Sequence, residues 1–227
     1  MRRLAGAGDP RLEAVLAGIF MAAVVLYLGG FGTGAARLAL KPVPALVLAV
    51  WVAARNRGLL GRLVAAGLVL SALGDGLLEA GRFLPGLVAF LFAHVAYLAA
   101  FVSDERRLRL ARLVPFAAWT AGAFSLLRPG LGEMAVPVAV YIGVITLMLW
   151  RACARVGSPA VPALAAWLGL AGAIAFGASD TLLAFDRFLQ PISGVHFAIL
   201  VLYWLGQCGI AASAALAGPR APEPPGA

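Results

Sequence analysis

Asp75 and Asp180 stand inside runs of apolar residues, and each opens the same pattern. "GDGLLEAGRFLP" from Gly74 and "SDTLLAFDRFLQ" from Ser179 share D-x-L-L-x-x-x-R-F-L. A charge near the centre of a bilayer costs roughly 2.5–3.5 kcal/mol on insertion scales, so an intramembrane carboxylate marks a site or a proton path. Two carboxyl groups in one low-dielectric space tend to hold one proton and one charge between them, the arrangement general acid–base chemistry needs. Proton-coupled carriers use matched intramembrane carboxylates as well. Lys41 is a third charge in an apolar run, and the three are expected to line one polar cavity, paired with each other. A blander reading has Lys41 snorkelling to the interface and Asp75 pairing with Arg82. Ser71 lies one turn before Asp75, and Ser179 adjoins Asp180. His94 and Tyr97 share a helix face, as do Tyr203 and Gln207. Tyr141 lies inside another apolar run. Glu79 has Ala184 as its counterpart in the second copy and reads as an interface charge, as does His196.

The elements that must position these residues follow from the composition. Of 227 residues, 63% are hydrophobic and 12% charged, against roughly half apolar in soluble domains. That much apolar surface has to face lipid. The net charge of +8 lacks a basic stripe interleaved with aromatics, which argues against nucleic acid. Cys153 and Cys208 read as small hydrophobes. No CxxC, HExxH, GxGxxG or Walker loop is present, so no metal and no organic cofactor is expected.

Apolar runs of about 20 residues predict an all-α polytopic bundle of eight spans. These are Leu12–Gly30, Arg37–Ala54, Leu59–Ala80, Leu84–Val102, Leu108–Leu127, Glu133–Arg151, Pro159–Phe185 and Gly194–Ala217, one transmembrane domain over 1–217. The Pro-rich stretch 218–227 reads as a disordered tail. Arginines crowd the start of the chain and every second connection, by about three to one, which predicts cytoplasmic termini. The repeated motif recurs four spans on, so both copies run the same way and predict two four-helix halves in parallel repeat. Asp75 and Asp180 then lie roughly 8 Å inside the outer boundary, at 1.5 Å per residue.

Several stretches carry a family likeness: "KPVPALVLA" at Lys41, "SALGDGLL" at Ser71, "GLVAFLFAHVAYLAAF" at Gly86, "GAIAFGASDTLLAFDRF" at Gly172 and "YWLGQ" at Tyr203. Through them the chain resembles the YhhN-like lysoplasmalogenase family of integral membrane proteins. The resemblance implies an ether hydrolase that cleaves the vinyl ether bond of lysoplasmalogens. The products are a fatty aldehyde and glycerophospho-ethanolamine or -choline. It places the catalytic pair on Asp75 and Asp180, with Lys41, His94, Tyr97, Tyr203 and Gln207 around the pocket. Ser71, Tyr141 and Ser179 join them as substrate-binding candidates. Lys41 suits the phosphate of the lysophospholipid.

Protonating the vinyl ether β-carbon gives an oxocarbenium ion, a problem glycosidases solve with two carboxyl groups. Either aspartate could be the acid, the other stabilising the cation and activating water. Replacing either by Asn is expected to abolish turnover. The rival reading is a proton-coupled carrier of a small amphiphile, which would move substrate in liposomes and release no aldehyde. The Ala-, Gly- and Arg-rich composition points to a plasma membrane, with membrane lipids as neighbours.

Overall fold

The computed structural model describes residues 9–217; the expected tail at 218–227 lies outside them. All regular structure among these residues is helical. In chain order the helices are α1 (Pro10–Leu28), α2 (Ala35–Leu40), α3 (Val43–Arg55), α4 (Leu59–Glu79), α5 (Phe83–Asp104), α6 (Val114–Leu127), α7 (Ala135–Arg155), α8 (Ala163–Phe188) and α9 (Val195–Ala217). Eight stretches are long and apolar enough to cross a membrane, α2 and α3 together forming one of them.

The second span was expected as one continuous helix and is interrupted at Lys41 and Pro42. Pro42 and Pro44 carry no N–H, so the carbonyls of Leu38 and Leu40 lose their helical donors. The seventh span runs three residues beyond its expected end, and the fifth opens with a 3₁₀ turn, Leu110–Leu113, before α6 begins.

α4 with α5, and α8 with α9, are the two most extensively packed pairs. They are the two copies of the repeat. Their cross-half neighbours also correspond: α5 packs on α7, and α9 packs on α3. The α8–α9 crossing is close because its contact is made of glycine. A Cβ on Gly172 would fall 2.7 Å from the Ile210 nitrogen, and one on Gly206 would fall 2.8 Å from the Phe176 nitrogen. Small residues at such crossings let membrane helices gain dispersion energy that lipid would otherwise supply.

The core runs through α5 and α9, where Ala93, Tyr97, Phe101, Ile210 and Ala211 are all buried. Val15, Val25, Val136, Leu164 and Phe197 are exposed on the outer helices, where lipid acyl chains would cover them.

The two ends of the bundle are built differently. At the end holding the last residues of α5, α7 and α9, Arg155 is fully buried. Its guanidinium donates to Asp104 Oδ2 at 2.6 and 2.9 Å and to the Ser213 hydroxyl at 2.7 Å, tying the three helices together. Arg109 and Arg112 donate to the carbonyls of Cys153, Val156 and Gly157. Arg151 donates to those of Arg107 and Glu105. The C-terminal carbonyls of α7 that no helical N–H can reach are thereby satisfied by cations, which the helix dipole also favours.

The opposite end is joined by Glu79. Its carboxylate accepts from Tyr27 Oη at 2.6 Å and lies 3.1 Å from Arg37 Nε and 3.3 Å from Lys41 Nζ. Expected as an interface charge, Glu79 is also the hub linking α1, α2 and α4. Glu79→Gln should lower the unfolding free energy in detergent by about 1–3 kcal/mol, since a buried Lys41 and a half-buried Arg37 lose their shared anion. A thermal melt that does not move would show the network to be dispensable.

Candidate active site

Each aspartate meets a side chain from the other half of the molecule, and Asp180 also meets one from its own. Asp75 on α4 is buried and accepts a 2.6 Å hydrogen bond from Tyr203 on α9. Asp180 on α8 accepts a 3.0 Å hydrogen bond from Tyr141 on α7 and lies 3.5 Å from His94 Nε2 on α5. So α9 serves the carboxylate on α4 and α5 serves the carboxylate on α8. That exchange is what a two-fold relation between the halves requires.

The surroundings of the two differ. An apolar cavity lies between α5, α6, α7 and α8, enclosing about 760 Å³ of empty space with its opening included. Its walls are mostly Leu, Ile and Phe, with Asp180 and Tyr141 as the polar pair on them and Thr120 and Thr181 as hydroxyls. Thr181 Oγ1 donates to the Gly177 carbonyl at 2.7 Å. Thr120 Oγ1 shares a 2.7 Å bond with Thr146 and lies 2.8 Å from the Phe116 carbonyl. Both hydroxyls are thus committed to their own bundle.

Asp75 is absent from the cavity wall. Phe176 packs edge-on against His94 at 4.5 Å and against Tyr203 at 5.3 Å between ring centroids. One ring therefore touches the partners of both aspartates. In the first half Tyr27, Arg37 and Lys41 gather around Glu79, one turn beyond Asp75 on α4.

His94 is fully buried and its protons can be placed from its partners. Nδ1 lies 2.7 Å from the Phe90 carbonyl oxygen, which can only accept, so Nδ1 carries a proton. Nε2 faces Asp180 Oδ2 and has no other partner. The two atoms are 3.5 Å apart. Tyr141 donates to that same oxygen.

The remaining expected site residues form the layer behind. Ser71 and Tyr97 share a 3.2 Å hydrogen bond, and the Tyr97 hydroxyl donates to Gln207 Oε1 at 2.7 Å. Ser179 donates to the Ile199 carbonyl at 2.9 Å, fastening α8 to α9. Lys41 takes Glu79 as its ion-pair partner and does not reach the cavity. Of the ten residues singled out from the sequence, Asp180 and Tyr141 line the cavity, and His94 backs Asp180 from behind.

Reading along the chain missed the wall itself. Trp119, Ala123, Ile145 and Leu149 belong to it, yet nothing in their type or spacing separates them from lipid-facing neighbours. Among the described residues, no three His, Cys, Asp or Glu side chains converge in a metal-ligating cluster.

Comparison with known proteins gives one consistent result. The YhhN family model matches residues 36–214. The chain is 35% identical over 179 residues to the human protein named lysoplasmalogenase TMEM86B, covering 77% of this chain and 73% of that one. It is 36% identical over 155 residues to bovine lysoplasmalogenase TMEM86A, 65% of this chain and 63% of the relative. Similarity extends to the lysoplasmalogenase of Mycobacterium tuberculosis, 33% identical over 188 residues, 76% of this chain and 69% of that one. No solved structure matches. The matched region contains every residue that lines the cavity or holds an aspartate, and the chain belongs to the YhhN family.

Proposed function

We propose that this protein is a lysoplasmalogenase that hydrolyses the vinyl ether bond of a lysophospholipid held with its hydrocarbon chain in the α5–α8 cavity. The observation that carries the reading is Asp180: a carboxyl group on the wall of an otherwise apolar chamber, with a tyrosine and a histidine fixed behind it. The activity carried by the names of its relatives supplies the substrate class.

In this mechanism Asp180 gives its proton to the β-carbon of the vinyl ether as the double bond's electrons form the new C–H bond. The α-carbon becomes an oxocarbenium ion. Water adds there and loses a proton to the Asp180 carboxylate, which restores the acid. The hemiacetal then collapses: its bond to the glycerol oxygen breaks, that oxygen takes up a proton, and the hemiacetal hydroxyl gives one up, leaving a fatty aldehyde and the free glycerophospho-alcohol. Tyr141 orients the carboxyl, and His94 shares its proton. The apolar walls limit water and strengthen every electrostatic contact with the cation. Asp75 acts as a positioning residue, holding Tyr203 against Phe176 and so keeping the layer behind His94 in register.

The arginine-rich end, which includes the α5–α6 connection and the end of α7, is assigned to the cytoplasmic side of the plasma membrane, following the excess of arginine there. The cavity then belongs to the outer half of the bundle.

Purified protein in detergent should release aldehyde from a lysoplasmalogen and none from the alkyl ether analogue, which has no double bond to protonate. No aldehyde from either would remove the reading. The cavity gives a second check. Ala123 is buried on its wall, so Ala123→Phe should occupy the chain's space and cut kcat/KM by about tenfold or more, the loss of one to two methylenes' burial and the clash together. The melting temperature should hold or rise, because the same ring fills a void.

A further inference from the structure

The two copies of the repeat end differently, and the difference reaches the mouth of the cavity. In the first copy α4 stops at Glu79. Gly81 has φ +73°, the Gly81 N–H donates to the Leu78 carbonyl and the Arg82 N–H to the Leu77 carbonyl, the paired bonds of a Schellman stop. Arg82 is thereby thrown off the helix. In the second copy Asp186 stands where Gly81 does, with no such turn, and α8 continues to Phe188. Arg187 stays helical, seven residues and two turns after Asp180. It is on the same face, roughly 10 Å further along the axis.

Arg187 is exposed, and its guanidinium lies 5.0 Å from the centroid of the Phe83 ring. Phe83 and Phe188 line the cavity and meet edge-on at 5.7 Å. Among the described residues no carboxylate lies in salt-bridge reach of Arg187. Its neighbour Asp186 is occupied by the Ile192 N–H at 2.7 Å.

We propose that Arg187 is the residue that binds the phosphate of the lysophospholipid headgroup, a role that rests on the function proposed above. In such a lipid the glycerol backbone separates the ether oxygen from the phosphate. Two helical turns between the proton donor and a cation match that separation, more so because helical side chains lean toward the N-terminus, here toward Asp180. A guanidinium seated on an aromatic rim keeps its N–H fork free for two phosphate oxygens. Lys41, the phosphate ligand expected from sequence, pairs with Glu79 and stands away from the cavity.

The test measures binding of two non-cleavable ligands to full-length protein in detergent, read by tryptophan quenching. One is a saturated alkyl-ether lysophosphoethanolamine, the other the matching alkylglycerol without phosphate. Arg187→Ala should weaken the phosphate-bearing ligand about tenfold to a hundredfold and leave the alkylglycerol unchanged. Arg187→Lys should fall between, keeping the charge and losing the fork. Equal weakening of both ligands, or of neither, would overturn the assignment. Turnover gives an independent check, with KM raised and kcat kept in Arg187→Ala. If wild type releases no aldehyde, the lysoplasmalogenase reading falls, and the binding comparison still decides the role of Arg187.

Discussion

Asp180→Asn should lose turnover by roughly 10²–10⁴-fold, the contribution of a positioned general acid, while the protein stays folded. Asparagine keeps an oxygen to accept from Tyr141 and matches the carboxyl in shape, so the wall of the cavity is retained. What it lacks is a proton of acidic character to give to the β-carbon. Substrate binding should be little affected, so the loss is expected in kcat and not in KM.

Asp75→Asn provides the contrast. Asp75 is off the cavity wall and reaches the reaction only through Tyr203, Phe176 and His94. Its loss should be smaller than that at Asp180, because the Tyr203 hydroxyl can still donate to the amide oxygen. Aldehyde release from both variants, alongside melting curves, separates the roles. Equal and complete loss at both positions would restore a mechanism in which the two carboxyls act directly as a pair. Near-native activity in Asp180→Asn would end the acid role altogether.

The second large effect is on stability, at the other end of the bundle. Arg155→Met should destabilise the protein by about 3–5 kcal/mol, the usual cost of breaking a buried ion pair by removing one partner. The carboxylate of Asp104 would lose a bidentate guanidinium, and the Ser213 hydroxyl would lose a donor. The side-chain link that joins α5, α7 and α9 at one point would be gone. The Asp104→Asn, Arg155→Met double variant should be less damaged than the sum of the single changes, because the second substitution removes the charge that the first one stranded. Thermal unfolding in detergent measures all three. Additive losses would mean that the pair is not energetically coupled.

The eight spans and their approximate ends were legible in the linear sequence, and Asp75 and Asp180 stood out in it as carboxylates inside apolar runs. So was the repeat, whose two motif copies prove to be the two most extensively packed helix pairs. These are local properties: a hydrocarbon slab demands about 20 apolar residues per crossing, and a carboxylate inside such a run stands out against that requirement. Tyr141, Tyr203 and His94 were visible for the same reason, as polar groups where lipid-like residues are the rule.

The folded arrangement decided which aspartate meets the cavity, that Lys41 belongs to Glu79, and that Arg155 is a buried staple and not merely one more arginine near a helix end. Each of these depends on helices far apart in sequence. The wall around Asp180 is made of Leu, Phe, Ala and Trp, residues that look the same whether they face lipid, core or an empty chamber. The shared motif positions read alike in both halves, yet the aspartate of one copy lines the cavity and that of the other does not. Hydropathy reports that a side chain leaves water; only the packing of distant helices settles what it meets instead.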